Sequence, residues 1–267
     1  MGVTTGKGFV FGAKEGNPGR LHSNTLDVYV TGVSVYNGPV RDAELIVIPG
    51  RNGALYKDNG RFENVDITYH CGMYADTQQN FATKVQKFRD SFASYGVEGY
   101  GYLYDDYNPN EFRIAAYKGG FDLDPVAMST AGEFDITFSC KPQRYLKSGD
   151  STISITSGDH VTNPTSWASQ PLISFQTSTG SGTITLTQNG GVTPTQTITL
   201  SGAPTGEVIY IDCEVGECYK YSGNTIVSLN NYVSFGSNIP VLYGGTTYIT
   251  YTYTVNTVKI TPRWWNI

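Results

Sequence analysis

Two seven-residue segments alternate between apolar and polar residues without a fault. Val65-Asp66-Ile67-Thr68-Tyr69-His70-Cys71 places Val65, Ile67, Tyr69 and Cys71 on one side of an extended chain. Phe134-Asp135-Ile136-Thr137-Phe138-Ser139-Cys140 repeats the pattern. A period of two is the side-chain period of a β-strand, so both are predicted to be half-buried strands with a polar outer face. Cys71 and Cys140 fall on the apolar phase and read as small core residues.

Other segments extend the pattern. Leu45-Ile46-Val47-Ile48 is a continuous apolar run ending at a Pro49-Gly50 turn, which predicts a more buried strand. Phe81, Val85, Phe88 and Phe92 recur at helical spacing and predict one helix packed on a sheet. Asp76 with Gln79 suggests a capping box, Gly96 a stop, and Lys84, Lys87 and Asp90 a polar face. Tyr100 to Asn110 reads as a hairpin or arm with its tip at Asn108-Pro109-Asn110.

Lys141-Pro142-Gln143-Arg144-Tyr145 is expected to end a first domain, because Pro142 lacks the donor a central strand needs. Lys147-Ser148-Gly149-Asp150 reads as a linker. Short strands follow, such as Thr183–Thr187, Val208–Ile211 and Tyr248–Val255, at spacings that suggest a β-sandwich. The apolar phase changes between Val255 and Val258, which predicts a bulge or tight turn at Asn256-Thr257. In that phase Trp264 enters the core and Trp265 points to the other face. There Trp265 covers a neighbouring domain or subunit, or folds onto its own domain.

Composition agrees with a mainly β chain of two domains, residues 1–147 and 148–267. Apolar residues make up 39% and charged residues only 15% of the 267, below the roughly 25% norm. The second half holds three of the 18 Lys and Arg and six of the 23 Asp and Glu. A net charge of −5 argues against a nucleic-acid-binding surface, while leaving room for a wall that DNA slides past. The first residues show no secretory signal or myristoylation pattern, and no run approaches 18 apolar residues. A soluble protein made in a cytoplasm, with no membrane partner, is the expectation.

A search for chemistry finds little. His22, His70 and His160 show no metal-ligand spacing, and nucleophile-elbow, phosphate-loop and dinucleotide signatures are lacking. Asp105-Asp106 would point to opposite faces of a strand, and Asp122 and Asp124 alternate with Phe121 and Leu123 as in an ordinary half-buried strand. No catalytic residue, cofactor or metal is predicted. If Val215-Gly216 is a two-residue hairpin loop, Cys213 faces Cys218 across it. The pair is then either two reduced thiols or a strained cross-strand disulfide. Pro49-Gly50-Arg51-Asn52-Gly53 turns sharply and holds Arg51 outward, as a plain turn residue or as a clamp on a neighbour's carboxylate.

Three motifs in order carry a resemblance: Ile48-Pro49-Gly50-Arg51-Asn52-Gly53-Ala54-Leu55, then Asn163-Pro164-Thr165-Ser166-Trp167-Ala168-Ser169-Gln170-Pro171-Leu172-Ile173, then Ile260-Thr261-Pro262-Arg263-Trp264-Trp265-Asn266-Ile267. Over nearly the whole chain the sequence resembles the distal tail proteins of long-tailed, siphovirus-type bacteriophages. The resemblance implies a tail-tube-like β domain with one packed α-helix that forms a six-fold ring, and a galectin-like β-sandwich projecting from it. It implies a hub at the tail tip, assembled in the host cytoplasm as a homo-hexamer. The partners implied are the tail-tube protein, a tail-associated fibre or lysin protein and receptor-binding proteins, with DNA passing the lumen unbound. By the same resemblance the helix and the aromatic arm around Tyr104 lie where the family carries its helix and its inter-subunit arm. Arg51, Arg61, Tyr104 and Trp265 are the expected interface residues.

Three rivals stand beside it. A carbohydrate-binding adhesin would use Trp167, Trp264 or Trp265 as a stacking platform, but the second half is poor in the polar residues a sugar site needs. A tail-tip hydrolase lacks a credible catalytic pair. The tail-tube protein itself would not carry the Pro-Arg-Trp-Trp ending.

Overall fold

The computed structural model describes residues 7–94, 99–126, 130–189, 195–252 and 258–267. Gly96, Val255 and the Asn256-Thr257 phase change lie outside them. The chain divides into two compact units, Met1–Arg144 with Ile267, and Tyr145–Asn266.

The first unit holds β1 (Phe9–Gly12), β2 (Arg20–His22), β3 (Tyr29–Val33), β4 (Arg41–Val47), β5 (Ala54–Phe62), β6 (Val65–Tyr74), α1 (Gln78–Ser94), β7 (Gly101–Asp105), β8 (Glu111–Tyr117), β9 (Asp124–Val126) and β10 (Ala131–Leu146). One sheet runs β2-β1-β7-β8-β10-β6-β3, with β9 also on β10, while among the described residues β4 and β5 pair only with each other. The two alternating segments become β6 and β10, and they are each other's partners. Their antiparallel register runs from Ala131↔Tyr74 to Cys140↔Val65, so the apolar set of one faces the apolar set of the other.

Helix α1 covers that face. Phe81, Phe88 and Phe92 are buried, and Val85 packs at the margin. The Phe88 ring lies 5.3 Å from Phe134 and that of Phe92 5.0 Å from Tyr117. The cap sits one residue later than the capping-box reading. Thr77 Oγ1 accepts the Asn80 N–H at 3.2 Å, while Asp76 accepts the Asn80 side-chain amide at 2.7 Å. Strand β10 also continues through Pro142. Its pairing with β6 has ended at Cys140, so the missing donor costs no ladder bond on that side.

The second unit is a β-sandwich. Its strands are β11 (Ile153–Ile155), β12 (His160–Asn163), β13 (Leu172–Gln176), β14 (Gly182–Gln188), β15 (Gln196–Leu200), β16 (Val208–Asp212), β17 (Glu217–Ser222), β18 (Thr225–Ser228), β19 (Val233–Phe235), β20 (Gly245–Tyr251) and β21 (Val258–Thr261). A six-stranded sheet, β11-β21-β13-β16-β17-β18, stands against a five-stranded one, β12-β20-β14-β15-β19. Ile173, Phe175, Ile211 and Ile260 from the first meet Ile184, Leu186, Ile198 and Ile249 from the second in one core. Threonine replaces charge on the outer face of the smaller sheet, where hydroxyls pair across strands, as between Thr183 and Thr252 at 3.2 Å. Its branched Cβ suits the pleat and its hydroxyl suits water.

The cysteine pairing is corrected by the register of β16 and β17. Asp212 faces Glu217 and Ile211 faces Cys218, so the loop is Cys213–Gly216 rather than two residues. Gly216, at φ 73°, closes it with a 2.8 Å bond from its N–H to the Asp212 carbonyl. Cys218 therefore does not face Cys213. All four cysteines are free and buried. Burial pushes the thiols of Cys71, Cys140 and Cys213 up to about 12 and that of Cys218 to about 11. At pH 8 the native protein is expected to leave a thiol-exchange reagent unreacted, and to release four equivalents on denaturation. Two missing equivalents after denaturation would mean that the cysteines are paired after all.

Candidate assembly surface

The Ile48-Pro49-Gly50-Arg51 segment is a type II turn. Pro49 occupies its first central position, Gly50 takes φ 78° at the second, and the Arg51 N–H donates to the Ile48 carbonyl at 3.2 Å. It joins β4 to β5 in a ribbon whose two halves differ. Near the base, cross-strand ion pairs hold the register: Arg41 to Asp58 at 2.6 Å, Arg61 to Asp42 at 2.6 Å and Lys57 to Glu44 at 3.2 Å. Hydrogen bonds from Asn59 and Arg61 hold the Asp42 carboxyl below its ordinary range, and those from Arg41 and the Gly60 N–H do the same for Asp58.

Toward the turn the ribbon is apolar on both sides. Leu45 faces Tyr56 and Val47 faces Ala54 on one side, while Ile46 faces Leu55 on the other. The buried strand predicted for Leu45–Ile48 is therefore corrected: Leu45 is 71% and Val47 78% exposed. A two-stranded ribbon is marginal in water by itself. An apolar one held away from its own core is surface prepared for another molecule.

The expected interface residues separate on this geometry. Arg51 stands exposed at the turn and Arg61 lies on β5, its guanidinium on Asp42. Tyr104 is no arm residue. It is 6% exposed, its ring lies against Tyr102 and Phe112, and its hydroxyl accepts the Glu15 N–H at 2.9 Å. The stretch around it forms the β7–β8 hairpin within the sheet. Its Asp105 is structural, accepting the Tyr107 and Asn108 N–H groups at 2.8 Å and the Tyr69 hydroxyl at 3.1 Å.

Trp265 folds onto its own unit. Its indole Nε1 donates to the Ala168 carbonyl at 3.0 Å and its ring stacks on Trp167 at 5.1 Å. Trp264 is buried in the core as predicted. The adhesin reading thereby loses its platform, since Trp264 is inside and the other two indoles cover each other.

The same contacts explain why the Asn-Pro…Trp and Pro-Arg-Trp-Trp motifs occur together. The buried Asn163 amide donates to the Trp167 and Leu242 carbonyls at 2.8 and 2.9 Å, and its oxygen accepts the Thr165 N–H at 2.9 Å. Ser169 Oγ donates to the Pro262 carbonyl at 2.8 Å. Arg263, in the left-handed region at φ 59°, forks onto Asp212 at 2.7 and 2.9 Å and reaches Glu214 at 3.3 Å. Gly149 belongs to this junction rather than to a loose linker: a Cβ there would lie 2.2 Å from the Trp264 nitrogen. The sequence reading missed the Arg263–Asp212 fork. Three cations in the second half would have been the signal to ask what each one binds.

Among the described residues no three His, Cys, Asp or Glu side chains come together as a metal ion requires. Nor is any helix there long and apolar enough to cross a membrane.

Residues 29–140 match the family described as the phage tail protein RIFT-related domain. The match lies within the first unit. The fold of the whole chain is similar, over 94% of its length and 97% of the other's, to the Dit (gp 19.1) protein of phage SPP1. That protein is described as a paradigm of hub adsorption apparatus in Gram-positive-infecting phages, and the TM-score is 0.69 at 12% identity. A chain of the phage P2 baseplate, in its activated conformation with calcium, matches with TM-score 0.54 at 8% identity, covering 95% of this chain and 96% of that one. The strontium form gives 0.52 at 10% identity, with 95% and 97% covered. No curated protein matches the sequence significantly.

The Arg263 fork sets a pH test. Burial would raise the Asp212 carboxyl, but hydrogen bonds and charge from Arg263, with the Glu214 and Val215 N–H groups, outweigh it and leave the group below its ordinary value. A depressed carboxyl contributes stability above its unfolded pKa of about 3.9 and loses it as pH falls through the folded value. Denaturant midpoints of the wild type should therefore drop below about pH 4. Asp212→Asn should be less stable at pH 7 and flatter with pH in that window. An unchanged acid limb in the variant would remove the fork from the account.

Proposed function

We propose that the chain is a distal tail protein, a structural, non-enzymatic hub of a siphovirus-type phage tail. Six copies form a ring at the end of the tail tube. On this reading residues 1–147 build the ring, and residues 148–267, a galectin-like sandwich, carry the outer contacts. The ring joins the tube protein to the tail-associated fibre or lysin protein and to receptor-binding proteins. DNA leaves through its channel without specific binding, and the net charge of −5 suits a wall from which DNA must not adhere. The protein assembles in the host cytoplasm and ends at the virion tail tip.

The observation that carries this reading is the β4–β5 ribbon. It exposes Leu45, Val47, Leu55 and Tyr56, and among the described residues its strands pair with nothing but each other. In a cyclic assembly neighbours meet through unlike surfaces, so one projecting element per copy can seat on the next copy and close the ring. Arg51 and Arg61 lie on that ribbon and are the ring-contact residues of the proposal; Tyr104 and Trp265 drop out.

Negative-stain electron microscopy of the concentrated protein, with light scattering for mass, is expected to give six-fold rings with a central channel. Leu45→Asp with Tyr56→Asp should leave monomers of unchanged circular dichroism, because both sites are exposed in the single chain. Rings that survive the double variant would take the ribbon out of the interface. A wild type that stays monomeric at every concentration and fails to join tails would sink the hub reading.

A further inference from the structure

We propose that Asn52, at the tip of the β4–β5 ribbon, is a site of spontaneous deamidation, open in the free chain and closed by assembly. The closing half of the proposal rests on the hub reading; the reaction itself does not. An asparagine followed by glycine cyclises readily, because no Cβ shields the attacking peptide nitrogen. Three such pairs lie within the described residues, Asn37-Gly38, Asn52-Gly53 and Asn59-Gly60, and all six residues are exposed. A fourth, Asn189-Gly190, lies partly outside them. Exposure does not choose among the three. Their hydrogen bonds do.

In Asn59-Gly60 both reacting groups are held. The Asn59 side-chain amide donates to Asp42 at 2.9 Å, and the Gly60 N–H, whose nitrogen would attack, donates to Asp58 at 2.7 Å. A carboxylate on that N–H opposes loss of its proton, which the reaction requires first. Asn37-Gly38 is tied from both sides. The Asn37 N–H donates to the Ser34 carbonyl at 3.1 Å, and Pro39 biases Gly38 toward extended backbone. Asn52-Gly53 has neither restraint. Among the described residues the Asn52 side chain and the Gly53 N–H make no hydrogen bond. Gly53 sits at φ 80° and, as at the other two glycines, nothing lies within 4 Å of where a Cβ would stand. There is room for a ring to close.

The reaction needs only the chain and water. The Gly53 nitrogen gives up its proton and bonds to Asn52 Cγ. The Cγ–Nδ2 bond breaks, and the amide nitrogen leaves as ammonia, carrying that proton. Water then opens the cyclic imide at either carbonyl. Breaking the new bond leaves aspartate, whereas breaking the original peptide bond leaves isoaspartate, with an extra carbon in the backbone. Either product adds a negative charge to the end of the ribbon, where residues 45–56 otherwise carry only Arg51. A charge there is costly to bury and competes with a neighbour's carboxylate for Arg51. Conversely, a tip seated on the next copy has lost the freedom that ring closure needs. Assembly therefore protects the amide, and a chain that waits outside the ring becomes less fit to enter it.

Peptide mapping by mass spectrometry tests this on the full chain, folded and denatured, and on purified phage tails, all incubated in mildly alkaline heavy-oxygen water. In the folded free chain Asn52 should convert first, losing ammonia and taking up one labelled oxygen. Asn59 should follow at least about tenfold more slowly, the cost of first breaking a bond to a carboxylate. In denaturant the two should converge, because the bonds to Asp42 and Asp58 are gone. In tails Asn52 should remain an amide. A folded chain in which Asn37 or Asn59 leads, or in which Asn52 persists, would overturn the site. Asn59 staying slow in denaturant would trace the order to sequence and overturn it as well. Tails that contain the chain and lose Asn52 as fast as the free chain would overturn the protection and spare the hub reading. Absence of the chain from tails would refute the hub reading and the protection together.

Discussion

The antiparallel pairing of β6 with β10 organises the first unit. Phe134 lies opposite Cys71, Ile136 opposite Tyr69, Phe138 opposite Ile67 and Cys140 opposite Val65. Between them His70 faces Asp135 and Thr68 faces Thr137, so polar residues meet on the other side. Every side chain on the two strands is assigned to a face by this single register. A slip of one residue by β6 would turn Ile67 and Tyr69 to water and bury Asp66, and a slip by β10 would do the same with Phe138 and Asp135. Because two perfect alternations face each other over that length, the alternative is costly at each step. The phenylalanine stripe of α1 has only one apolar surface to cover, and the aromatic contacts among Phe88, Phe121 and Phe134 follow.

The second unit is held differently, by polar groups taken out of water and fully used. Its sandwich core is ordinary aliphatic packing. The end of the chain and the loop it meets are fixed by side-chain donors on backbone carbonyls. Asn163 serves the carbonyls of Trp167 and Leu242, Ser169 serves that of Pro262, and the Trp265 indole serves that of Ala168. The Leu242 carbonyl also accepts the Ser169 N–H and that of Trp167 the Thr165 hydroxyl, and a buried polar group left unpaired costs about 1–3 kcal/mol. A motif that looks like a recognition signature in the sequence is thus, locally, a hydrogen-bond closure of the terminal segment onto a loop.

What could be read from the sequence follows from how local each signal is. Strict alternation and a helical stripe report the face a residue shows, and β6, β10, α1 and the burial of Trp264 were legible for that reason. Registers of short hairpins were not. The Cys213–Gly216 loop depends on Asp212, whose carboxylate is anchored by Arg263 about fifty positions further along the chain, a distance no local pattern spans. Pro142 was misread because the rule against proline applies to a paired strand, and pairing with β6 has ended there. Between the hairpin and the arm that the residues around Tyr104 left open, the structure has the hairpin, with Asp105 occupied by its own N–H groups and the Tyr69 hydroxyl.

The misplaced Leu45–Ile48 run says most about function. Composition tells a chain what it must bury, not in which molecule. A core strand and the inserted ribbon of an assembly protein have the same apolar content, since both end surrounded by protein. They differ in where charge sits. A core strand excludes it throughout, whereas this ribbon places its ion pairs at the base, between Arg41, Asp42, Glu44, Lys57, Asp58 and Arg61, and keeps the end near the turn apolar. Exposed pairs of that kind contribute little to stability, but they align the strands and discourage the base from burying itself. The apolar end then remains available to a partner, at roughly 25 cal/mol for each Å² it covers. A ribbon ordered this way gains its main stabilisation only in company, which is the property the proposed ring requires.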